Sequence, residues 1–563
     1  MKSQFKIWIS RMIWCTLIVA LAAYIIKNIY VGADGDEGYG IVVGYRLAMG
    51  DKLFLETWEP HQTSAIFTAF WIKLFLVFTN SVESLNIYLR VIYFLIHGTI
   101  SYFVYKTLLK CVCPNQKHIA VWLSAVFFVM CPKSIFIPEY SNLHIWFFTI
   151  LCMSILWYQC NDICQKNKMK FLLLAGLALA CDVLAYPSML ILYFPLLALI
   201  GFWSKKISHC LVFTIPCLLS LAIFLCYIFS YMTPDQFTGV LPYILNDPSH
   251  QDAIGLKLYY QVAGFSLIAK ILLLTSVAAA VLTAIYTLLK SRKIFSVAIF
   301  LLIDFILQVG YQFYCWFTSD YAAFYPHFTH CFLLLSGIYC YYRNEKNDKP
   351  CFFLIWISII NYLGVMFLSN WGVEFLAPYL ITGALGGLVC LGHYLDKKGV
   401  SLKGKVIPIL CAMLIYNNVF GYCWLMIGGG ANHNDLTLVS GRFQEGLRKR
   451  IYTTYSSAYN YNSKQEIWSE AVPVGSNCMY MGVDQFCYLM GDCRISAAST
   501  ISTPVYDESL LKYWEINPDR YPDVVVVESG FEARLGDSIR GWLENEFPAS
   551  EIIQYPYFTV YRK

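Results

Sequence analysis

From Trp8 to Trp424 the chain passes through one apolar stretch after another, separated by short connections that hold most of its lysines and arginines. About 20 apolar residues in a helix cross the roughly 30 Å of hydrocarbon in a bilayer, and there only helices or closed barrels satisfy their own backbone. The chain must therefore fold as a mainly α, polytopic membrane helical bundle. With 58% hydrophobic and 14% charged residues it is excluded from the ordinary soluble class.

Charge placement orients the bundle. Basic groups recur at Lys106, Lys110 and Lys117; at Lys166, Lys168 and Lys170; at Lys205 and Lys206; at Lys290, Arg292 and Lys293; at Arg343, Lys346 and Lys349; and at Lys397, Lys398, Lys403 and Lys405. The positive-inside rule puts these, and the N-terminus, in the cytoplasm. The net charge of +5 follows from this topology and implies no nucleic-acid partner. Alternation then gives about thirteen spans, near residues 8–30, 86–109, 118–137, 142–160, 170–185, 186–203, 208–230, 262–289, 294–312, 327–342, 351–368, 373–394 and 405–425. The first is too long for a signal peptide and ends in no small-x-small cleavage site, so it reads as a retained anchor. Thr63–Thr79 is apolar too, but a crossing there would turn every later basic loop outward. It contains Lys73 and is expected to lie in the membrane interface.

Two domains follow: residues 1–425 as the membrane domain, with a first external loop over 31–85, and 426–563 as an extracytoplasmic α/β domain. In the latter, Asn477–Met481 and the valine-rich Pro522–Glu528 read as buried strands, Glu508–Glu515 and Arg534–Glu546 as helices, and Ile552–Tyr561 as a final edge strand. No glycine-rich phosphate loop or nucleophile elbow occurs there. Its three cysteines, Cys478, Cys487 and Cys493, are an odd number and make no closed disulfide framework.

The chemistry concentrates just after the first span, at Asp34, Asp36 and Glu37. A carboxylate so placed can take the proton of an attacking hydroxyl, and nearby donors can hold a departing anion. Asp36 and Glu37 are the catalytic candidates, with Asp36 as the base. Arg46 and Arg90 suit phosphate, being among the few cations on the external side; Arg90 also suits a helix-end residue reaching toward headgroups.

The Asp-Glu after the first span, the aromatic after it, Arg-x-x-x-Gly-Asp over Arg46–Asp51, Glu59-Pro60 before an apolar helix, and Arg90 at the start of the second span together resemble the GT-C glycosyltransferase superfamily. They are most similar to glycosyltransferase family 39 type enzymes, the protein O-mannosyltransferases and bacterial aminoarabinose or lipopolysaccharide sugar transferases. The resemblance is specific over Gly32–Arg90. It implies a bundle of about eleven to thirteen spans, juxtamembrane helices in the first external loop, a polyprenyl-phosphate sugar donor, an extracytoplasmic glycan, lipid or protein acceptor, and residence in the cell membrane. Asp36 and Glu37 match the Asp-Glu pair, and Glu59 matches the loop glutamate. The Lys-Pro-Pro that follows it in the family is here Pro60-His61-Gln62.

Further substrate-binding candidates are Asp34, Glu59, His61, Gln62, Glu139, Tyr140 and His327. Glu59, His61, Glu139 and His144 form a candidate ligand set for a divalent cation, although no tight spacing unites them. Asp304, an acid deep in an apolar stretch, supports two alternatives: a structural hydrogen bond within the bundle, or an ion site in a transporter or flippase of lipid-linked saccharide.

Overall fold

The computed structural model describes residues 2–32, 35–130, 135–160, 162–245, 254–290, 296–318, 328–344, 348–369, 371–400, 405–426, 434–501, 507–547 and 552–563. In the membrane domain the helices are α1 (Lys2–Tyr30), α2 (Gly35–Met49), α3 (Ala65–Thr79), α4 (Leu85–Thr107), α5 (Lys117–Val129), α6 (Tyr140–Gln159), α7 (Gln165–Ala185) and α8 (Tyr193–Ser204), followed by α9 (Ile207–Phe229), α10 (Pro234–Leu245), α11 (Ile254–Leu289), α12 (Val297–Thr318), α13 (Phe328–Arg343), α14 (Lys349–Leu368), α15 (Ile381–Lys397) and α16 (Val406–Trp424). The protein is a multi-pass membrane protein.

Among the described residues, eleven helical segments have the length and composition to cross a membrane. Ten coincide with expected spans. The stretch expected over 118–137 yields only the short helix α5, and those over 170–185 and 327–342, now α7 and α13, are not among the eleven. Gln62–Thr79, expected to lie in the interface, is among them, because a 3-10 turn at Gln62–Ser64 runs directly into α3. α3 packs on α2 through Ala65, Thr68, Ala69 and Ile72, leaving Phe70, Val77 and Phe78 exposed.

Within the bundle, α6 lies along α7 and α13 along α15. The second pair is possible because both backbones are bare where they cross. A Cβ on Gly337 would come within 2.3 Å of Gly387 Cα, and one on Gly387 within 2.1 Å of Leu333 O. Small residues at such crossings replace the hydrophobic drive that lipid does not supply.

The C-terminal region adds strands β1 (Leu425–Met426) to β2 (Asn434–Asp435) and β3 (Val439–Arg442) to β4 (Tyr452–Thr454) as antiparallel pairs, then α17 (Tyr455–Ala471), β5 (Asn477–Met481), β6 (Arg494–Ile495), α18 (Asp507–Ile516), β7 (Val524–Glu528), α19 (Asp537–Glu546), β8 (Ile552–Gln554) and β9 (Phe558–Arg562). The main sheet runs β6-β5-β7-β9-β8, with β5 parallel to β6 and β7, and β9 antiparallel to β7 and β8. Val524–Val527 are all buried, as a strand covered on both faces requires. The expected single strand over Ile552–Tyr561 is instead a hairpin: β9 lies inside the sheet and only β8 forms the edge.

One apolar core unites this domain with the first loop. Ile41, Leu53, Trp58 and Ile72 pack in the same cluster as Tyr480, Phe486, Tyr513 and Val526.

Candidate functional site

α1 ends at Tyr30, and Gly32 N–H donates to Tyr452 O at 2.8 Å, which fixes the turn into α2. The next two residues, including the candidate Asp34, lie outside the described residues. α2 begins at Gly35, earlier than its apolar pattern suggests, so Asp36 and Glu37 occupy its first turn. There, free backbone N–H groups and the helix dipole favour acids.

Consecutive helical residues point about 100° apart, and the two acids separate accordingly. Asp36 is exposed. Glu37 is fully buried: its Oε2 lies 2.6 Å from Arg90 Nη2, its Oε1 accepts from Arg90 Nε at 3.0 Å, and Asn86 Nδ2 donates to it at 3.1 Å. Arg90 spends its remaining N–H groups on Asn28 O (3.2 Å), Ile29 O (3.3 Å) and Gly32 O (2.7 Å). It thereby caps the carbonyl end of α1 while gripping the first turn of α2. Glu37 and Arg90, expected in catalysis and in phosphate binding, thus form a buried ion pair that uses the whole guanidinium.

On the face that carries Asp36, one turn along, Gly40 touches the next candidate element: a Cβ there would stand 3.0 Å from Glu139 Cβ. Glu139 caps α6, accepting from Ser141 N at 3.0 Å and Asn142 N at 2.9 Å. Tyr140 follows, and its ring stacks on His61 with centroids 4.0 Å and planes 2° apart, while Tyr39 meets it edge-on at 6.5 Å. Tyr186 leans on His61 (5.3 Å) and Tyr140 (6.2 Å). One turn into α6, His144 Nδ1 pairs with Asp182 Oδ1 at 2.7 Å, both fully buried, and its ring lies 5.3 Å from Tyr186 and 5.2 Å from Tyr379. The first loop, the start of α6, the end of α7 and the turn before α15 thus converge on one cluster of aromatic and imidazole rings, and Asp36 is exposed one turn before the Gly40 that meets Glu139.

Neither a protein-family model nor any curated protein sequence matches the chain. Solved structures do. ArnT from Cupriavidus metallidurans bound to undecaprenyl phosphate superposes with a TM-score of 0.50 at 11% identity, the match covering 98% of each chain. The chain has the GT-C fold. The archaeal oligosaccharyltransferase AglB from Archaeoglobus fulgidus, in complex with an inhibitory peptide and a dolichol-phosphate, matches at a TM-score of 0.46 and 12% identity over 93% of this chain and 70% of that one.

In this GT-C fold one residue expected to bind substrate, Glu59, fastens the first loop to the C-terminal domain, while Arg46 and Gln62 bond within the loop itself. Arg46, buried, donates from Nε to Asp51 Oδ2 at 2.8 Å and from Nη2 to Glu56 O. Glu59 accepts from Ser499 Oγ at 2.8 Å and from Thr500 N, and Trp58 N–H donates to Ala498 O at 2.8 Å. Burial pushes the Glu59 carboxyl up; the Thr500 N–H, Arg46 and Ser499 oppose the shift. Gln62 Oε1 accepts from Phe54 N at 2.8 Å. These contacts give Arg46, Glu59 and Gln62 structural partners, and Arg46 Nη1 and Gln62 Nε2 are buried without a hydrogen-bond partner.

The four candidate metal ligands are not gathered. Glu59 faces the C-terminal domain and His144 faces Asp182, and no three His, Cys, Asp or Glu among the described residues stand together at metal-binding range. His327 lies outside the described residues. Asp304 accepts from Ser276 Oγ at 2.6 Å, one turn from the Gln308–Thr275 bond (2.5 Å), and its Oδ1 is buried without a hydrogen-bond partner.

Sequence reasoning missed Asp182, Tyr186, Tyr379 and Arg448. Asp182 carried a usable signal, an acid in an apolar stretch. Arg448 carried none, since only folding sets its guanidinium 3.5 Å over the ring of Phe486, which in turn meets Gly38 of α2.

Proposed function

We propose that this protein is a glycosyltransferase that moves a sugar from a polyprenyl-phosphate-linked donor to an extracytoplasmic glycan, lipid or protein, with inversion and with Asp36 as the base. In the reaction the acceptor oxygen attacks the anomeric carbon, its proton passes to the Asp36 carboxylate, and the bond from the anomeric carbon to the phosphate oxygen breaks to release polyprenyl phosphate. The observation that carries the reading is the separation of the two acids. Glu37 is neutralised by Arg90, and Asp36 beside it stays exposed on the face that meets Glu139 and Tyr140.

Two further features support it. Tyr39 and Tyr140, both partly exposed, offer rings of the kind on which a sugar's apolar face stacks. The structure of matching fold from Cupriavidus metallidurans is bound to undecaprenyl phosphate, the class of leaving group this reaction releases. The proposed orientation keeps the N-terminus cytoplasmic and the C-terminal domain outside, in the cell membrane.

The test is transfer of radiolabelled sugar from polyprenyl-phosphate donors in membranes holding wild type, Asp36→Asn or Asp304→Asn protein. Asp36→Asn should lower the rate by about 10²–10⁴-fold and Asp304→Asn should leave it near wild type. Full activity in Asp36→Asn would remove the base assignment.

A further inference from the structure

At the end of the bundle away from Asp36, the turn after α4 together with α6, α7, α8, α9 and α14 leaves a cavity of about 900 Å³. α6 connects the two ends: Tyr140 stands at the candidate site, and Leu156–Cys160, about 25–30 Å along the helix, line the cavity. Three lysines ring its mouth. Lys110 follows the end of α4, Lys168 is in the first turn of α7, and Lys349 opens α14. No aspartate or glutamate is among the lining residues. Lys110 reaches the flanking Asp162 at 3.0 Å, but both side chains are exposed, and such a pair is weak. Among the described residues, Lys168 and Lys349 have no acidic partner within ion-pair distance.

The walls change character with depth. Gln165 and His209 sit with the lysines, whereas Leu199, Ile357 and Ile360 line the interior. Ile357 and Ile360 lie eight and eleven residues beyond Lys349 on α14, about 12 and 17 Å along the axis. The cavity therefore runs from the level of the helix ends, where headgroups lie, into the level of acyl chains. A free anion would use the mouth alone, so the apolar depth selects an amphiphile.

We propose that this cavity binds an anionic diacyl phospholipid, with its phosphate among Lys110, Lys168 and Lys349 and its acyl chains against Leu199, Ile357 and Ile360. The site stands at the lysine-rich end, and its occupancy does not depend on the sugar-transfer reading.

Native mass spectrometry of the delipidated full chain, titrated with phosphatidylglycerol, phosphatidylcholine or inorganic phosphate, tests it. Phosphatidylglycerol should bind at least about tenfold more tightly than phosphatidylcholine, and Lys168→Gln with Lys349→Gln should weaken it roughly fivefold per lysine at an unchanged melting temperature. Leu199→Trp, which fills the apolar part and keeps the lysines, should also weaken it. Equal binding of the two lipids, an unaltered affinity in the lysine variant, unaltered affinity in Leu199→Trp, or displacement of the lipid by millimolar inorganic phosphate would each overturn the proposal.

Discussion

Arg520, in the C-terminal domain, holds its Nη2 at 2.7 Å from Asp51 Oδ1 in the first loop, 469 residues earlier, while Asp51 Oδ2 takes Arg46 Nε at 2.8 Å. One carboxylate thus bridges a membrane-domain arginine and a C-terminal-domain arginine. Arg520 also grips Glu56 Oε1 at 2.7 Å, and Tyr513 and Asn517 donate to loop carbonyls beside it. The C-terminal domain is thereby fastened to the segment that follows the end of α2, while its Phe486 meets Gly38 in the second turn of the same helix.

Arg520→Ala should destabilise the protein by about 3 kcal/mol or more, because it leaves Asp51 and Glu56 buried with their charge only partly met. Thermal unfolding of the purified chain reads this directly. An unchanged midpoint would mean that the bridge contributes nothing to holding the domain.

The Glu37–Arg90 pair should behave as structure. Arg90→Lys keeps the charge but loses the fork that spans Glu37 and three carbonyls, and should cost about 2–4 kcal/mol in stability. If Arg90→Lys instead kept its melting temperature and raised only the KM for the lipid donor, the phosphate-binding expectation would return.

His61 tests stacking against ligation. Its ring lies flat on Tyr140, so His61→Phe should keep stability within about 0.5 kcal/mol while His61→Ala loses about 1 kcal/mol or more. Equal losses in both variants would show that the imidazole nitrogens, and not the ring face, matter.

In the C-terminal domain, burial pushes the Glu528 carboxyl up, but the Lys464 ammonium, the Val483 N–H and the Tyr480 hydroxyl outweigh it and hold the group below the usual carboxylate range. A depressed carboxylate contributes stability above its unfolded pKa and loses it as pH falls through its folded pKa. The stability difference between wild type and Glu528→Gln should therefore be full at neutral pH and shrink below about pH 4.5. A difference that stays constant from pH 7 to pH 3 would exclude the ion pair as its source.

The sequence by itself determined the bundle, the α/β tail and the placement of acids at the first helix end. Those features rest on local quantities: the length of an apolar run, the spacing of lysines, the alternation of strand residues. It also exposed the run over Thr63–Thr79 as apolar, although charge alternation suggested a surface position for it. Only the tertiary structure decided which charges are buried against a partner. Glu37 meets Arg90 across 53 residues and His144 meets Asp182 across 38, while Arg46, Asp51 and Arg520 join the two ends of the chain. A charge taken out of water must find an opposite charge or a hydrogen-bond partner, and packing, not sequence spacing, supplies it. Asp36 was left exposed by the same physics, one helical step of about 100° from a neighbour that turned inward.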